Sequence, residues 1–335
     1  MFIANLLCFI ICILAVEDLR ETRNEKQIMD KKIIIVGSSN TDMVVSLSHL
    51  PKPGETVLGG KFSTVPGGKG ANQAVAAARA GGNITFITRV GDDNFGLEAV
   101  KGFVKDNINV DYIIKDTETP SGIAVISVDK EGRNSIAVAS GANMKLSPDD
   151  IENVKDVISS ADYLIMQLEI PLKTVEKAAF IAKQNGVSVI LNPAPAQVLH
   201  EELLKNVDIL TPNEVEAESI TGIEVDTIEN AKKASEALYK KGVKIIIITL
   251  GSRGVYVYSD DYKGIVEGFK VEAVDTTAAG DTFNGALSVA LSEGKTIVDA
   301  AKFANAAAAL SVMKPGAQPS TPKREDIDRF LRDKY

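Results

Sequence analysis

Lys32-Ile33-Ile34-Ile35-Val36-Gly37 decides how this chain is read. Four consecutive β-branched residues closed by glycine, with no polar alternation, suit a strand buried on both faces of a parallel sheet. Runs of the same kind recur at Ile84–Val90, Tyr163–Gln167, Val187–Asn192, Asp208–Thr211 and Lys244–Leu250. Between them apolar residues fall at helical spacing in Asn72–Ala80, Phe95–Lys105, Lys173–Gln184 and Ile228–Lys241. Strand and helix alternate, which predicts an α/β fold: a doubly wound, mostly parallel sheet flanked by helices, with ligands beyond the carboxyl ends of the strands.

Two stretches break that rhythm. Met43–Val65 carries Pro51, Pro53 and the pair Gly59-Gly60, while Gly122–Ala139 alternates apolar and polar residues around Asp129-Lys130-Glu131-Gly132. Both are expected to be antiparallel ribbons. Standing on either side of a glycine-rich motif, they predict a small antiparallel β lid formed from about 39–66 and 111–140.

The 335 residues are 45% hydrophobic but only 5% aromatic, without Trp, as an aliphatic α/β interior requires. Lys and Arg total 37 against 45 Asp and Glu, a net charge of −8 that argues against a general nucleic-acid binder and leaves room for a local phosphate site. Two Cys and two His exclude a structural zinc site or a disulfide framework. Both cysteines, Cys8 and Cys12, lie in the apolar run Phe2–Val16, which densely charged residues follow. That run is shorter than the ~20 residues that cross a bilayer, no Lys or Arg precedes it, and no clear small-residue cleavage site follows. Residues 1–28 are therefore expected to be an extension outside the fold, and residues 29–335 a cytoplasmic catalytic domain free of thiol chemistry. Membrane contact is expected only if the extension is real.

Chemistry concentrates in two clusters. Pro66-Gly67-Gly68-Lys69-Gly70-Ala71-Asn72-Gln73 lets the backbone approach a ligand closely and opens an Ala-rich helix whose N-terminus favours anionic or hydroxyl-rich groups. It is not a Walker A loop, because Ser63 stands where that pattern needs its first Gly and Gly70 where it needs Ser or Thr. No G-x-G-x-x-G follows a strand either, so a dinucleotide fingerprint is missing. The second cluster is Asp275-Thr276-Thr277-Ala278-Ala279-Gly280-Asp281-Thr282-Phe283-Asn284. Its small residues let successive N–H groups point one way where a helix is expected to begin at Asp281, a terminus suited to developing phosphate charge. A carboxylate at Asp281 can then accept a hydroxyl proton during phosphoryl transfer.

Three smaller signals fit a nucleoside triphosphate. Thr249-Leu250-Gly251-Ser252-Arg253-Gly254 ends the strongest apolar run, Asn213-Glu214-Val215-Glu216 offers oxygens to a magnesium–water shell, and Glu169 is a partner for a hydroxyl-bearing substrate. His49 and His200 are given structural or solvent roles.

Together, Gly-Gly-Lys-Gly-Ala-Asn-Gln-Ala at 67–74, Asn-x-x-Glu at 213–216, Thr-Leu-Gly-Ser-Arg-Gly at 249–254 and Asp-Thr-Thr-Ala-Ala-Gly-Asp-Thr-Phe at 275–283 strongly resemble the ribokinases of the PfkB carbohydrate kinase family. The resemblance runs from Met29 to the C-terminus with the motifs in family order. It implies a Rossmann-like domain that transfers the γ-phosphoryl group of ATP to the 5-hydroxyl of D-ribose. By matching positions, Asp281 is the implied base and Ala278, Ala279 and Gly280 the anion hole. Ribose is implied at Asn40, Asp42, Gly68, Lys69, Asn72 and Glu169. ATP is implied at Asn213, Thr249, Gly251, Ser252, Arg253, Gly254, Gly280 and Asp281, with Asn305, where many relatives carry His, near the adenine. Mg2+ is implied at Asn213 and Glu216 through water. An activating K+ is implied at Asp275, Thr277, Ser311, Lys314, Gly316 and Ser320, several through backbone carbonyls. Pairing of lids between subunits would make a homodimer.

Two other readings remain open: a related kinase acting on deoxyribose, fructose or adenosine, and a non-catalytic sugar-binding regulator. The second should have lost Asp281, Lys69 or the 278–280 turn, and all are intact.

Overall fold

The computed structural model describes residues 31–334, so the apolar run Phe2–Val16, its cysteines and the proposed start at Met29 lie outside the described residues. Among the described residues, thirteen strands form two sheets. The larger holds β1 (Lys32–Val36), β4 (Asn83–Gly91), β5 (Ile113–Asp116), β8 (Tyr163–Met166), β9 (Ser188–Leu191), β10 (Ile209–Leu210), β11 (Ile245–Thr249), β12 (Val255–Tyr258) and β13 (Lys263–Val266). Their spatial order is β13-β12-β11-β10-β9-β8-β1-β4-β5. Pairing is parallel from β5 to β11, and β12 and β13 return antiparallel at one edge. The sequence reading stopped at Leu250 and did not foresee that edge, since Val255–Tyr258 can turn back only because Gly251 and Gly254 adopt φ of 57° and 91°.

The alternation of side chains divides each central strand between two cores. Ile34 and Val36 of β1 join one apolar cluster, with α3 (Leu172–Gln184), α4 (Glu214–Thr221) and α5 (Ile228–Lys240). Ile33 and Ile35 join the other, with α1 (Lys69–Arg79), α6 (Ala279–Ser292) and α7 (Ile297–Val312). Helices α2 (Asn94–Lys105) and α8 (Arg324–Lys334) complete those of eight residues or more.

The second sheet has the order β3-β2-β6-β7, from β2 (Asn40–Ser46), β3 (Lys61–Gly67), β6 (Gly122–Val128) and β7 (Asn134–Ala139). Each ribbon is antiparallel as expected, and the two join through a parallel β2–β6 pair that periodicity alone does not encode. One boundary shifts: the segment expected to begin near residue 111 contributes Ile113–Asp116 to the edge of the large sheet, pairing with β4, before entering the small sheet at Gly122.

Candidate active site

Strands β1 and β8 are neighbours, and the helices that follow them, α1 and α3, pack on opposite faces of the sheet, so the two connections diverge at the carboxyl ends and open a crevice there. Ser38, just past β1, donates its hydroxyl to Glu169 Oε2 at 2.6 Å. The N–H of Lys69, at the start of α1, donates to the same oxygen at 3.0 Å. Gly68 makes this approach possible: its φ is 88°, and a Cβ there would lie 2.7 Å from the backbone nitrogen of Asn40. Asn40 is in turn held by Asn143, whose Nδ2 donates to Asn40 Oδ1 at 2.7 Å and whose Oδ1 accepts the Ser39 N–H at 2.8 Å. Burial, reinforced by the negative charges of Glu169 and Asp281, raises the Asp42 carboxyl to about 6. Burial opposes the charge of Lys69, but Asp281, Glu169 and Glu216 outweigh it and push its pKa up.

Helix α6 starts at Ala279, two residues before the expected position, because Ala278 takes a left-handed conformation (φ 58°) and turns the chain into the helix. That conformation costs an alanine ~1–2 kcal/mol. Among the described residues, the first-turn N–H groups of Gly280 and Asp281 have no carbonyl partner, while Ala279 N–H reaches Thr276 O at 3.3 Å. Asp281 is buried, with Oδ2 accepting from Asn72 Nδ2 and Oδ1 from Gln73 Nε2, each at 3.0 Å. Burial raises its pKa, against the pull of Lys69 and those two amides.

A polar cleft of about 350 Å³ opens beside this terminus, lined by Lys69, Asn213, Glu216, Thr249, Gly280 and Asp281 among others. Asn213 caps α4: its side chain accepts from Glu216 N–H at 2.7 Å, and its own N–H donates to Glu216 Oε2 at 2.9 Å, leaving Oε1 for the cleft. Burial raises the Glu216 carboxyl, the Asn213 N–H opposing it. Gly251, Thr276 and Ala279 line both this cleft and a more apolar one of about 340 Å³, whose walls include Ser252, Phe269, Val271, Asn305, Ala309 and Val312. Asn305 spends its amide on the carbonyls of Val266 and Glu267, both at 3.1 Å.

Arg253 and Gly254 line neither cleft. The Arg253 guanidinium is exposed and pairs with Glu214 at 3.1 Å, and Gly254 serves the turn into β12, where a Cβ would strike Val266 O. His49 pairs with Glu55 and His200 with Glu176, outside both clefts.

Of the residues expected around a monovalent cation, Asp275, Thr277 and Gly316 meet directly. Asp275 Oδ1 accepts the Thr277 N–H and hydroxyl at 2.9 and 2.6 Å, and Oδ2 accepts the Gly316 N–H at 2.8 Å. Despite partial burial, these bonds hold the Asp275 carboxyl below its usual range. Asp275 N–H reaches Val312 O, next to Ser311, whose carbonyl takes the Lys314 N–H. Ser320 turns its hydroxyl to Ala317 O. Among the described residues no three His, Cys, Asp or Glu side chains form a metal cluster. A cation on these loops would have to draw on carbonyl oxygens, which suits a weakly held monovalent ion.

Sequence reasoning missed Ser38 and Asn143, and it gave no role to Gln73. The only available signal was Gln73 beside Asn72 inside the glycine-rich motif; nothing local distinguishes Asn143 in Gly141-Ala142-Asn143-Met144.

Comparison with known proteins identifies the family and the fold. Residues 30–324 match the pfkB family of carbohydrate kinases, and the chain belongs to that family. It is 48% identical over 303 residues to a ribokinase of Haemophilus influenzae, covering 90% of this chain and 99% of that one. It is 37% identical over 300 residues to a deoxyribokinase of Salmonella typhi, covering 89% and 98%. An Arabidopsis thaliana ribokinase structure complexed with ribose and ATP superposes with a TM-score of 0.83 at 36% identity, covering 90% of this chain and 98% of that one.

Proposed function

We propose that this pfkB-family kinase transfers the γ-phosphoryl group of ATP to O5 of D-ribose, giving D-ribose 5-phosphate and ADP. One observation carries the reading: a buried carboxylate, Asp281, stands at the N-terminus of α6 between a wall of sugar-type donors and acceptors and a nucleotide-sized groove. Asn40, Asp42, Gly68, Lys69, Asn72 and Glu169 grip the sugar, and the small sheet serves as the lid. The triphosphate lies along Asn213, Thr249 and Gly251, with the adenine in the apolar cleft near Asn305. Asp281 accepts the hydroxyl proton as the sugar oxygen bonds to phosphorus. Lys69 and the anion hole at 278–280, where the Gly280 N–H has no carbonyl partner, receive the charge that develops on the phosphoryl oxygens, an effect that grows as water is excluded.

Glu216 Oε1 and the Asn213 cap suit an outer shell for Mg2+, which when bound neutralises charge on the phosphates. The 275–277 and 311–320 loops suit K+, steadying the turn into α6. Replacing potassium by sodium is expected to slow turnover; equal rates in both would remove this part of the reading. Exposed Phe62, Val125, Ile136 and Val138 on the small sheet support a homodimer through that sheet, and a monomeric mass at micromolar concentration would count against it. A cytoplasmic location suits a reaction that uses ATP and yields a charged sugar phosphate. Among the described residues no helix is long and apolar enough to cross a membrane.

The test is ADP release by the full chain with ATP, Mg2+ and K+ on D-ribose, 2-deoxyribose, fructose and adenosine. Turnover mainly on ribose is expected. Faster turnover on another of the four would move the substrate, and silence on all from folded protein would favour a sugar-binding regulator.

A further inference from the structure

A line of buried amides runs back from Asp281 into the body of the domain, and its ends dictate its polarity. The carbonyl of Thr211 can only accept, so Asn192 turns Nδ2 toward it at 3.0 Å. Asn192 Oδ1 then accepts from Gln73 Nε2 at 3.1 Å, and the second Gln73 hydrogen goes to Asp281 Oδ1 at 3.0 Å. With both hydrogens spent, Gln73 Oε1 accepts from Gln167 Nε2 at 2.6 Å. Gln73 and Gln167 are both 0% exposed. Gln167 Oε1 is left without a partner, one of two such buried side-chain atoms among the described residues. Turning the Gln167 amide over would press two carbonyl oxygens together, so the orphaned oxygen is the cost of keeping the line pointed one way.

We propose that Gln73, locked in a single orientation by Asn192 and Gln167, is a positioning residue that pins Asp281 by Oδ1 and so holds the carboxylate in place to receive the substrate proton. During transfer the sugar O–H bond breaks and its proton passes to the Asp281 carboxylate. The sugar oxygen bonds to phosphorus as the bond to the departing ADP oxygen breaks. Oδ2 also accepts from Asn72, which fixes the second half of the carboxylate. Burial works against the ionised form, and Lys69 with the two amides works for it. The other charged groups facing this carboxylate are Glu169, Asp42 and Glu216, all opposing its ionisation. Losing the Gln73 donor therefore both loosens the base and makes it harder to ionise.

This inference rests on Asp281 being the base, and its test is separable from the identity of the sugar. In protein carrying 13C-carboxyl aspartate, the resonance absent from Asp281→Asn reports the titration of that group without any turnover. In Gln73→Met it should titrate at higher pH than in the unsubstituted protein. With whichever sugar is turned over, kcat at neutral pH should fall about 10-fold or more with KM changed less than about 3-fold, and the acid limb of the kcat profile should move up with the resonance. Gln167→Leu, which frees Gln73 to reverse, should move both in the same direction by less, and it carries the test if Gln73→Met does not fold. An unmoved resonance with unchanged kcat in the folded variants overturns the inference. A shifted resonance in a protein that phosphorylates no sugar upholds the positioning of Asp281 and sinks the kinase reading alone.

Discussion

On the proposed sugar side of Asp281, side chains hold one another: Ser38 on Glu169, Asn143 on Asn40, Asn72 and Gln73 on Asp281. On the proposed nucleotide side the backbone and small residues of the 278–280 turn and Gly251 stand beside Asn213, Glu216 and Thr249, continued by aliphatic surface at Val271, Ala309 and Val312. The difference teaches where selectivity resides. Interlocked amides and carboxylates leave a buried group unpaired when a sugar lacks one hydroxyl, which discriminates steeply. A backbone wall reads shape and charge, and a triphosphate supplies both.

The sharpest way to break the comparison is Asp281→Asn. Turnover should fall by at least ~10²-fold with sugar affinity nearly unchanged, as separated by steady-state kinetics and calorimetry; near-normal kcat would remove the base. Next is Gly68→Ala, which forces a Cβ toward Asn40 N at a φ of 88°. It should cost ~1–3 kcal/mol in denaturant unfolding and raise the sugar KM more than the ATP KM. Equal changes in both constants would mean that the two walls are not independent.

Asp42 gives a subtler test. Its folded pKa of about 6 lies above the unattached value of 3.8, so the folded state holds the proton more tightly. The group's contribution to stability is full below pH 3.8 and is lost as pH rises through 6. Asp42→Asn should therefore unfold like the unsubstituted protein near pH 4, gain on the order of 1 kcal/mol at pH 7.5, and bind sugar more weakly there. No pH dependence in that gap would sink the assignment. The smallest effect belongs to the nucleotide wall. Ala278→Gly relieves the left-handed strain but widens the unfolded ensemble, for a net change of a few tenths of a kcal/mol, with turnover nearly unaltered. A large loss of turnover would show that the Ala278 methyl group, and not only the turn, matters.

Legibility in the sequence followed the range of the forces involved. Buried parallel strands announce themselves as short apolar runs, and glycine at Gly68 or small residues at 278–280 mark tight turns, because each is dictated by its own neighbours. Asn143 and Ser38 were silent because their roles depend on partners 103 and 131 residues away. The β2–β6 pairing and the β12–β13 return were unread for the same reason, since register and neighbour are tertiary choices. At Arg253 the sequence shows a guanidinium at a strand end but not its tertiary neighbour, Glu214, with which it pairs at 3.1 Å.

The hydrogen bond between Asn72 and Asp281 joins residues 209 positions apart. At ~5–20 residues per second of synthesis, Asn72 waits roughly 10–40 s before its carboxylate partner exists. During that time Gln73 already has Gln167 and Asn192 to bond with, but Asn72 still lacks its carboxylate. Activity thus arrives near the end of translation, when α6 closes over α1, and a chain cut short before Asp281 would have much of the sheet and none of the chemistry.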